Sequence, residues 1–288
     1  MADGVPLTVQ GRFDGVRWKA GSDELVPVLT WVDQPDTPLL PWLGAELRLA
    51  FDGLISCSHC GRKTKKSFNQ GYCFPCARKL ARCDLCIVSP TRCHRAEGTC
   101  REPDWADQFC FSPHIVYLAN SSGLKVGLTR AGNERNRWAD QGAIQGLVIA
   151  RCDTRIQAGR LEARIAEHMS DRTDWRKLVR GPAVPLELET VRETLREQIL
   201  LLPEGCAWLD EPVHELRYPV TTYGPVKALN LDKAPVIEGR LLGIKGQYLL
   251  LDQGVVNLRR HGAYHIALTL GPAGPGDGAL QPEMFSDS

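Results

Sequence analysis

Three hydrophobic patterns succeed one another along this chain. Between residues 6 and 52, short β-branched and aromatic runs (PLTVQGRF, ELVPVLTWV, AELRLAF) are broken by Gly, Pro and Asp, which predicts strands and turns. From 53 to 110 the apolar periodicity disappears and cysteine replaces it. Residues 114–180 alternate between two periods. HIVYLA and LKVGLT read as strands joined by an NSSG turn, GLVIARC as a third strand, and AGRLEARIAEHM as an amphipathic helix. Apolar residues at helical spacing fill 183–202 (PLELETVRETLREQILLL) up to Pro203. VIEGRLLGI, QYLLLD, VVNLRR and AYHIALTL then predict a strand-rich region over 212–270, built as a small barrel or sandwich with the N-terminal strands as candidates to close it. The Gly/Pro-rich end predicts a disordered tail. The expected class is α+β. Its segments are an N-terminal β-rich segment (1–56), a cysteine-rich module (57–110), an α/β domain (111–182), a helical connector (183–211), a C-terminal β-rich domain (212–270) and a tail (271–288).

With 288 residues, 43% of them hydrophobic and 24% charged, the chain has the makings of an ordinary globular protein with a real core. No apolar run approaches the roughly 20 residues of a membrane helix. The first residues, MADGVPLTVQ, lack a basic start and an apolar run, so no secretory leader is expected. The expected compartment is therefore the cytoplasm. Thiols stay reduced there, and eleven cysteines point to metal more than to disulfides. The net charge of +1 conceals an asymmetry: residues 57–110 carry a net +5, residues 111–180 another +5, and the remainder −9. A basic middle between acidic flanks is the electrostatic footprint of a polyanion partner, DNA or RNA.

Nine of the eleven cysteines fall in residues 57–110. Cys57 and Cys60 form one CxxC, and Cys73 and Cys76 a second after twelve intervening residues. Each CxxC turn puts two thiolates on one side of a tight loop, and two turns complete a tetrahedron around zinc. Gly61 and Gly71 let those turns bend. Cys83, Cys86, Cys93 and Cys100 form a less regular second set, for which a second zinc is expected. His59, His94 and Cys110 are alternative ligands, and an iron–sulfur cluster is the competing occupant. Cys152, in a predicted strand, and Cys206, in a predicted turn, read as packing residues.

Residues 115–178 resemble a GIY-YIG nuclease domain. The resemblance is carried by Val116-Tyr117 in HIVYL, Lys125-Val126-Gly127 in LKVGLTR, Arg137 in NRWADQG, Glu162 in GRLEARI, and by Thr129 and Asp174-Trp175. His114 or Ile115 stands where the first motif has glycine, and Lys125 replaces the second motif's tyrosine. Arg135 competes with Arg137 for the arginine role, and Trp138 favours Arg137 by packing behind it. The whole order of segments also resembles an uncharacterised bacterial family sharing CDLC, GTCREP, KVG-T and GIKGQYL-like strings.

The resemblance implies one-metal phosphodiester hydrolysis. Glu162 would hold Mg²⁺ or Mn²⁺, Arg137 would neutralise phosphoryl charge, and Tyr117 would orient or deprotonate the attacking water. Lys125 would contact phosphate or act on Tyr117. Gly127 would admit the substrate backbone, with Thr129, Arg130, Arg135, Lys63, Lys65 and Lys66 as further nucleic-acid contacts. Glu162 also stands out on periodicity alone, because it interrupts the apolar stripe Ala158–Leu161–Ile165–Met169. In the C-terminal strands, Lys245, Arg259, Arg260, His261, Tyr248 and Tyr264 form a candidate binding face, for which a plain structural barrel is the favoured reading. A zinc-stabilised endonuclease is the first functional expectation. A binding protein with a degenerate nuclease fold is the second, and a zinc-dependent protein adaptor the third.

Overall fold

The computed structural model describes residues 5–20, 25–169 and 174–273. The strands are β1 (Leu7–Ala20), β2 (Leu25–Trp31), β3 (Thr37–Pro38), β4 (Ala45–Ser56) and β5 (Lys63–Thr64), followed by helices α1 (Phe74–Lys79) and α2 (Pro103–Phe109). The middle of the chain runs β6 (His114–Asn120), β7 (Leu124–Arg130), α3 (Glu134–Asp140), β8 (Gln145–Cys152), α4 (Arg155–Ala166), α5 (Trp175–Arg180) and α6 (Leu188–Gln198). Short β9 (Cys206–Trp208), β10 (His214–Glu215) and β11 (Ala228–Leu229) precede β12 (Val236–Lys245), β13 (Tyr248–Leu251), β14 (Gly254–Asn257) and β15 (Tyr264–Ala273).

The fold is α+β, with two sheets and few helices. The ends of the chain build a ten-stranded sheet in the order β11-β14-β13-β12-β4-β15-β1-β2-β3, with β5 on β4. Two long strands bend to serve two neighbours. β1 pairs β15 up to Arg12 and β2 from Phe13, with a register shift between Phe13 and Gly15. β12 pairs β4 up to Arg240 and β13 from Leu241. The path ends at β3 and β11, which do not pair, so the expected barrel does not close among the described residues. Such bends replace closure by folding the sheet over its own apolar face. VVNLRR is strand only as far as Asn257, and a 3₁₀ turn, Leu258–His261, follows. The expected tail begins inside β15, and residues 274–288 lie outside the described residues.

The smaller sheet has the order β10-β8-β6-β7, with β9 on β8. β6 is buried along its whole length and alternates between two cores. Ile115, Tyr117 and Ala119 join the large sheet's core, while Val116 and Leu118 face α4 and α6. Hence the small α/β unit does not stand apart from the large sheet. Gln247 Nε2, in the β12–β13 turn, donates to Asp140 Oδ1 of α3 at 2.8 Å. The expected helix over 183–202 is confined to Leu188–Gln198, with Leu188 and Leu195 buried and Leu200 and Leu201 exposed. Cys152 and Cys206, read as packing residues, face one another across β8 and β9 and are joined as a disulfide, 54 residues apart in sequence. That pairing depends on β9 returning to β8, which no local pattern announces. Among the described residues no helix is long and apolar enough to cross a membrane.

Candidate functional site

The cysteine block is attached where β4 runs out. Cys57 donates its N–H to the Arg62 carbonyl at 2.9 Å, closing the first turn, and Ser58 N–H reaches the Gly71 carbonyl at 2.7 Å, joining the two turns. Gly71 has φ 138°, open to glycine and not to a side chain, and a Cβ there would press on Ser58 Oγ at 2.7 Å. The sulfurs of Cys57, Cys60, Cys73 and Cys76 all lie within 4.8 Å of one another. Cys60 and Cys73 are 3.7 Å apart, close to the edge of about 3.8 Å that a tetrahedron of ~2.3 Å Zn–S bonds has. Burial opposes ionisation of Cys57, but the backbone N–H groups of Cys60, Cys73 and His59 outweigh it and lower the thiol to about 6. Partial burial and the crowding of Cys73, Cys60 and Cys57 raise Cys76. Four sulfurs this close cannot all ionise without a cation among them. This cluster has the donors and spacing for a structural ion such as zinc.

The second expected set, Cys83, Cys86, Cys93 and Cys100, does not gather in that way. The group within ligand distance here is Asp84, Cys86 and His94. Cys83 stands apart, its carbonyl accepting from Asn69 Nδ2 at 3.0 Å.

The cysteine block also forms one wall of a cleft of about 640 Å³. The opposite wall is β7, the edge strand of the small sheet, lining the cleft from Lys125 to Arg130. Tyr117, Arg137, Gln141 and Glu162 complete it from β6, α3 and α4. Tyr117, Lys125, Arg137 and Glu162, read as one constellation from scattered positions, thus line one cavity together with Gly127, Thr129 and Arg130. Arg135 is not among its lining residues. Lys63, Lys65 and Lys66 are exposed around β5 and do not line it either.

Each residue has a local reason for its place. Tyr117 is fully buried, opposite Gly127 in the β6–β7 ladder. Its ring lies across that glycine: a Cβ at Gly127 would meet Tyr117 Oη at 2.5 Å. The space expected to admit a substrate backbone therefore holds the tyrosine. Gln141 Nε2 donates to Tyr117 Oη at 2.9 Å. Burial raises the phenol, while the charge and hydrogen bond of Arg137 and the bond from Gln141 pull it back only in part. Behind Arg137, Trp138 is completely buried and packs flat against Gly146 of β8. Lys125 is 6% exposed, a nearly buried cation on a strand edge. Glu162 is half-buried. It sits one turn beyond Gly159, whose missing side chain lets Pro90 of the cysteine block approach; a Cβ there would fall 2.5 Å from Pro90 Cβ. The α4 face bearing Glu162 therefore looks toward the cysteine block and the cleft, whereas Ala158, Leu161 and Ile165 enter the core.

Residues from outside the expected constellation complete the site. Arg82 comes from the cysteine block, Arg155 from the start of α4, and Arg259 from the 3₁₀ turn after β14. The Arg130 guanidinium lies 4.6 Å over the Phe109 ring. Burial first, then the Arg137 charge, lowers the Arg259 pKa, with Asp140 opposing. Lys125, Arg82, Arg130, Arg137, Arg155 and Arg259 face a single lining carboxylate, Glu162. His114 contributes a 2%-exposed imidazole. Its Nδ1 lies 2.7 Å from the Ser112 carbonyl, and burial lowers its pKa. Of the candidate C-terminal binding face, Lys245, His261 and Tyr264 are buried; Arg259 is the residue that enters the cleft. The one hint in the sequence was its place in the Arg259-Arg260-His261 cluster, which fits a solvated turn equally well.

The fold and site define a metal-ready cysteine module bound to a cationic cleft. The family described as "Protein of unknown function (DUF2797)" matches residues 44–266, and the chain belongs to that family. No curated protein and no solved structure matches.

Proposed function

We propose that this protein is a metal-dependent endonuclease of GIY-YIG type, hydrolysing phosphodiester bonds in DNA or RNA, with its cysteine module as a zinc-held wall of the active site. One observation carries the reading: Tyr117, Lys125, Arg137 and Glu162 meet in a single cleft in which six cationic side chains face one carboxylate. Such a field attracts a polyanion and matches the charge of a phosphoryl group in transit. Guanidinium groups suit phosphate oxygens by their planar, two-pronged donor geometry.

Mg²⁺ keeps most of its waters and takes one or two carboxylates plus substrate phosphates, and Glu162 is the one carboxylate lining the cleft. Glu162 would hold it, and bound there it would supply Lewis-acid stabilisation of the scissile phosphate. Arg137 and Arg259 grip the phosphoryl oxygens from two sides. Tyr117 stays a neutral phenol at physiological pH, since burial raises it. Its hydroxyl is therefore suited to orienting a water rather than to removing its proton. Lys125 fixes a phosphate at the edge strand. Cys57, Cys60, Cys73 and Cys76 would hold a zinc that fixes this wall, and a second zinc among the downstream cysteines would do the same for the loop that abuts α4.

The test is a cleavage assay on single- and double-stranded DNA and RNA with Mg²⁺ or Mn²⁺. Wild type should cut. Glu162→Gln should lose at least ~100-fold in rate, as removal of a residue central to charge stabilisation does, while its zinc content stays unchanged. Salt-sensitive binding without cleavage by wild type would replace this proposal with a non-catalytic nucleic-acid-binding role.

A further inference from the structure

We propose that a second thiophilic metal site, suited to one zinc ion, is formed by Cys86, Cys93, Cys100 and Cys110, with Cys83 outside it. The inference rests on the reading that the downstream cysteines hold a second ion, and changes which residues bind it.

The four cysteines line one small cavity from separate pieces of chain, although their sulfurs are not drawn within 4.8 Å of one another as those of the first cluster are. Cys86 sits in the 3₁₀ turn Leu85–Ile87, Cys93 caps the turn Pro90–Arg92, Cys100 lies in the loop before α2, and Cys110 caps α2. The cavity measures about 10 Å³, near the lower limit for a single water. That space suits one ion. Cys83 does not line it. Its electrostatic neighbours are Arg101, Arg82 and Cys57, whereas Cys86 feels Cys93 and Cys110, and Cys110 feels Cys93 and Cys100.

The segment needs such a centre. Among the described residues, none between 57 and 111 belongs to a hydrophobic core cluster. Short 3₁₀ turns without a core do not hold a shape unless a metal or disulfide cross-links them. The nine cysteines of residues 57–110 are free thiols.

Asp84 and His94 reach ligand distance of Cys86, but both are committed elsewhere. Asp84 accepts from Arg101 Nε at 2.6 Å and from the backbone N–H of Cys86 at 3.5 Å. His94 Nε2 lies 3.4 Å from Asp84 Oδ2, and its Nδ1 lies 2.8 Å from Thr99 Oγ1. They are placed to steady the ligand loop from behind. Arg155 donates to the Ile87 carbonyl, and its charge neighbours the Cys110 thiol. It brings a positive charge to a centre that four thiolates around one divalent ion would leave at −2. Because Arg155 begins α4 and Pro90 abuts Gly159, this ion would set the position of the helix that carries Glu162.

The experiment measures zinc and iron per chain, with the visible spectrum, in the purified full-length protein and its variants. Wild type should carry two zincs. Cys110→Ser and Cys93→Ser should each carry one, while Cys83→Ser and His94→Ala keep two. If the ligand variants do not fold, the other pair still decides, since loss of a zinc from Cys83→Ser or His94→Ala overturns the assignment. One zinc in the wild type removes the second-ion reading itself, and iron with visible absorption overturns the single-ion site. Metal content is independent of cleavage, so failure of the nuclease reading leaves this result intact.

Discussion

The cysteine block and the small α/β unit face each other across one cleft but are held together by opposite means. The α/β unit has a buried strand, β6, whose two faces enter two cores, and it keeps its shape by close apolar packing. The block from 57 to 110 contributes nothing to those cores and presents large apolar side chains such as Phe74, Leu85 and Val88 to solvent. Its visible ties are the four gathered sulfurs of Cys57, Cys60, Cys73 and Cys76 and contacts such as Pro90 on Gly159. One wall of the cleft is thus rigid by burial. The other has clustered cysteines where a core would be.

The largest effect that would sharpen this contrast is metal loss. Cys76→Ser should release the first ion and unfold the block, since structural zinc contributes on the order of 10 kcal/mol to small zinc modules. Limited proteolysis should then cut within 57–110 while 114–169 stays protected; equal susceptibility of both regions would break the comparison. Next comes Trp138→Ala, which empties the space over Gly146 and should cost about 3–5 kcal/mol in denaturant unfolding without changing zinc content. Gly127→Ala comes third. The new methyl collides with the Tyr117 ring, with an expected loss of about 1–3 kcal/mol that Tyr117→Leu in the same chain should partly restore.

The smallest effect is a pH dependence in the large sheet. Lys245 is 1% exposed, and burial lowers its pKa from 10.5 to about 8. Between those values the unfolded chain binds more protons than the folded one, so this residue makes stability rise with pH over that interval. Its charge is a cost to folding that is complete below pH 8 and gone above about 10.5. Lys245→Met should therefore stabilise the protein at pH 7 by about 1–3 kcal/mol. Melting temperatures of the two proteins should converge as the pH approaches 10.5.

Much of this was legible in local pattern. The β6–β7 hairpin, β8 and α4 announce themselves by periods of two and 3.6, and the paired CxxC turns by spacing alone, because tetrahedral sulfur geometry needs only two short loops. Glu162 was conspicuous because a carboxylate interrupts an apolar stripe. Other features were hidden because their partners are distant in sequence. Arg259 lies 97 residues beyond Glu162 and reaches the cleft only because the last strands fold back onto the first. Gly127 carries no signal that its role is to seat the Tyr117 ring. Cys152 and Cys206 pair only because β9 adds to β8.

By itself, then, the sequence determined the elements and the donor types: strands and helices from side-chain periodicity, paired sulfur donors from cysteine spacing, a basic middle from clustered charge. These are local properties, set within one or two turns of chain. Tertiary structure decided which of them share a space. It turned an expected small barrel or sandwich into an open sheet of bent strands, seated the small sheet on its core, and left Cys83 outside the cavity that Cys86, Cys93, Cys100 and Cys110 line. Closeness in space depends on strand order and packing, and those are settled only when the whole chain buries its apolar surface at once.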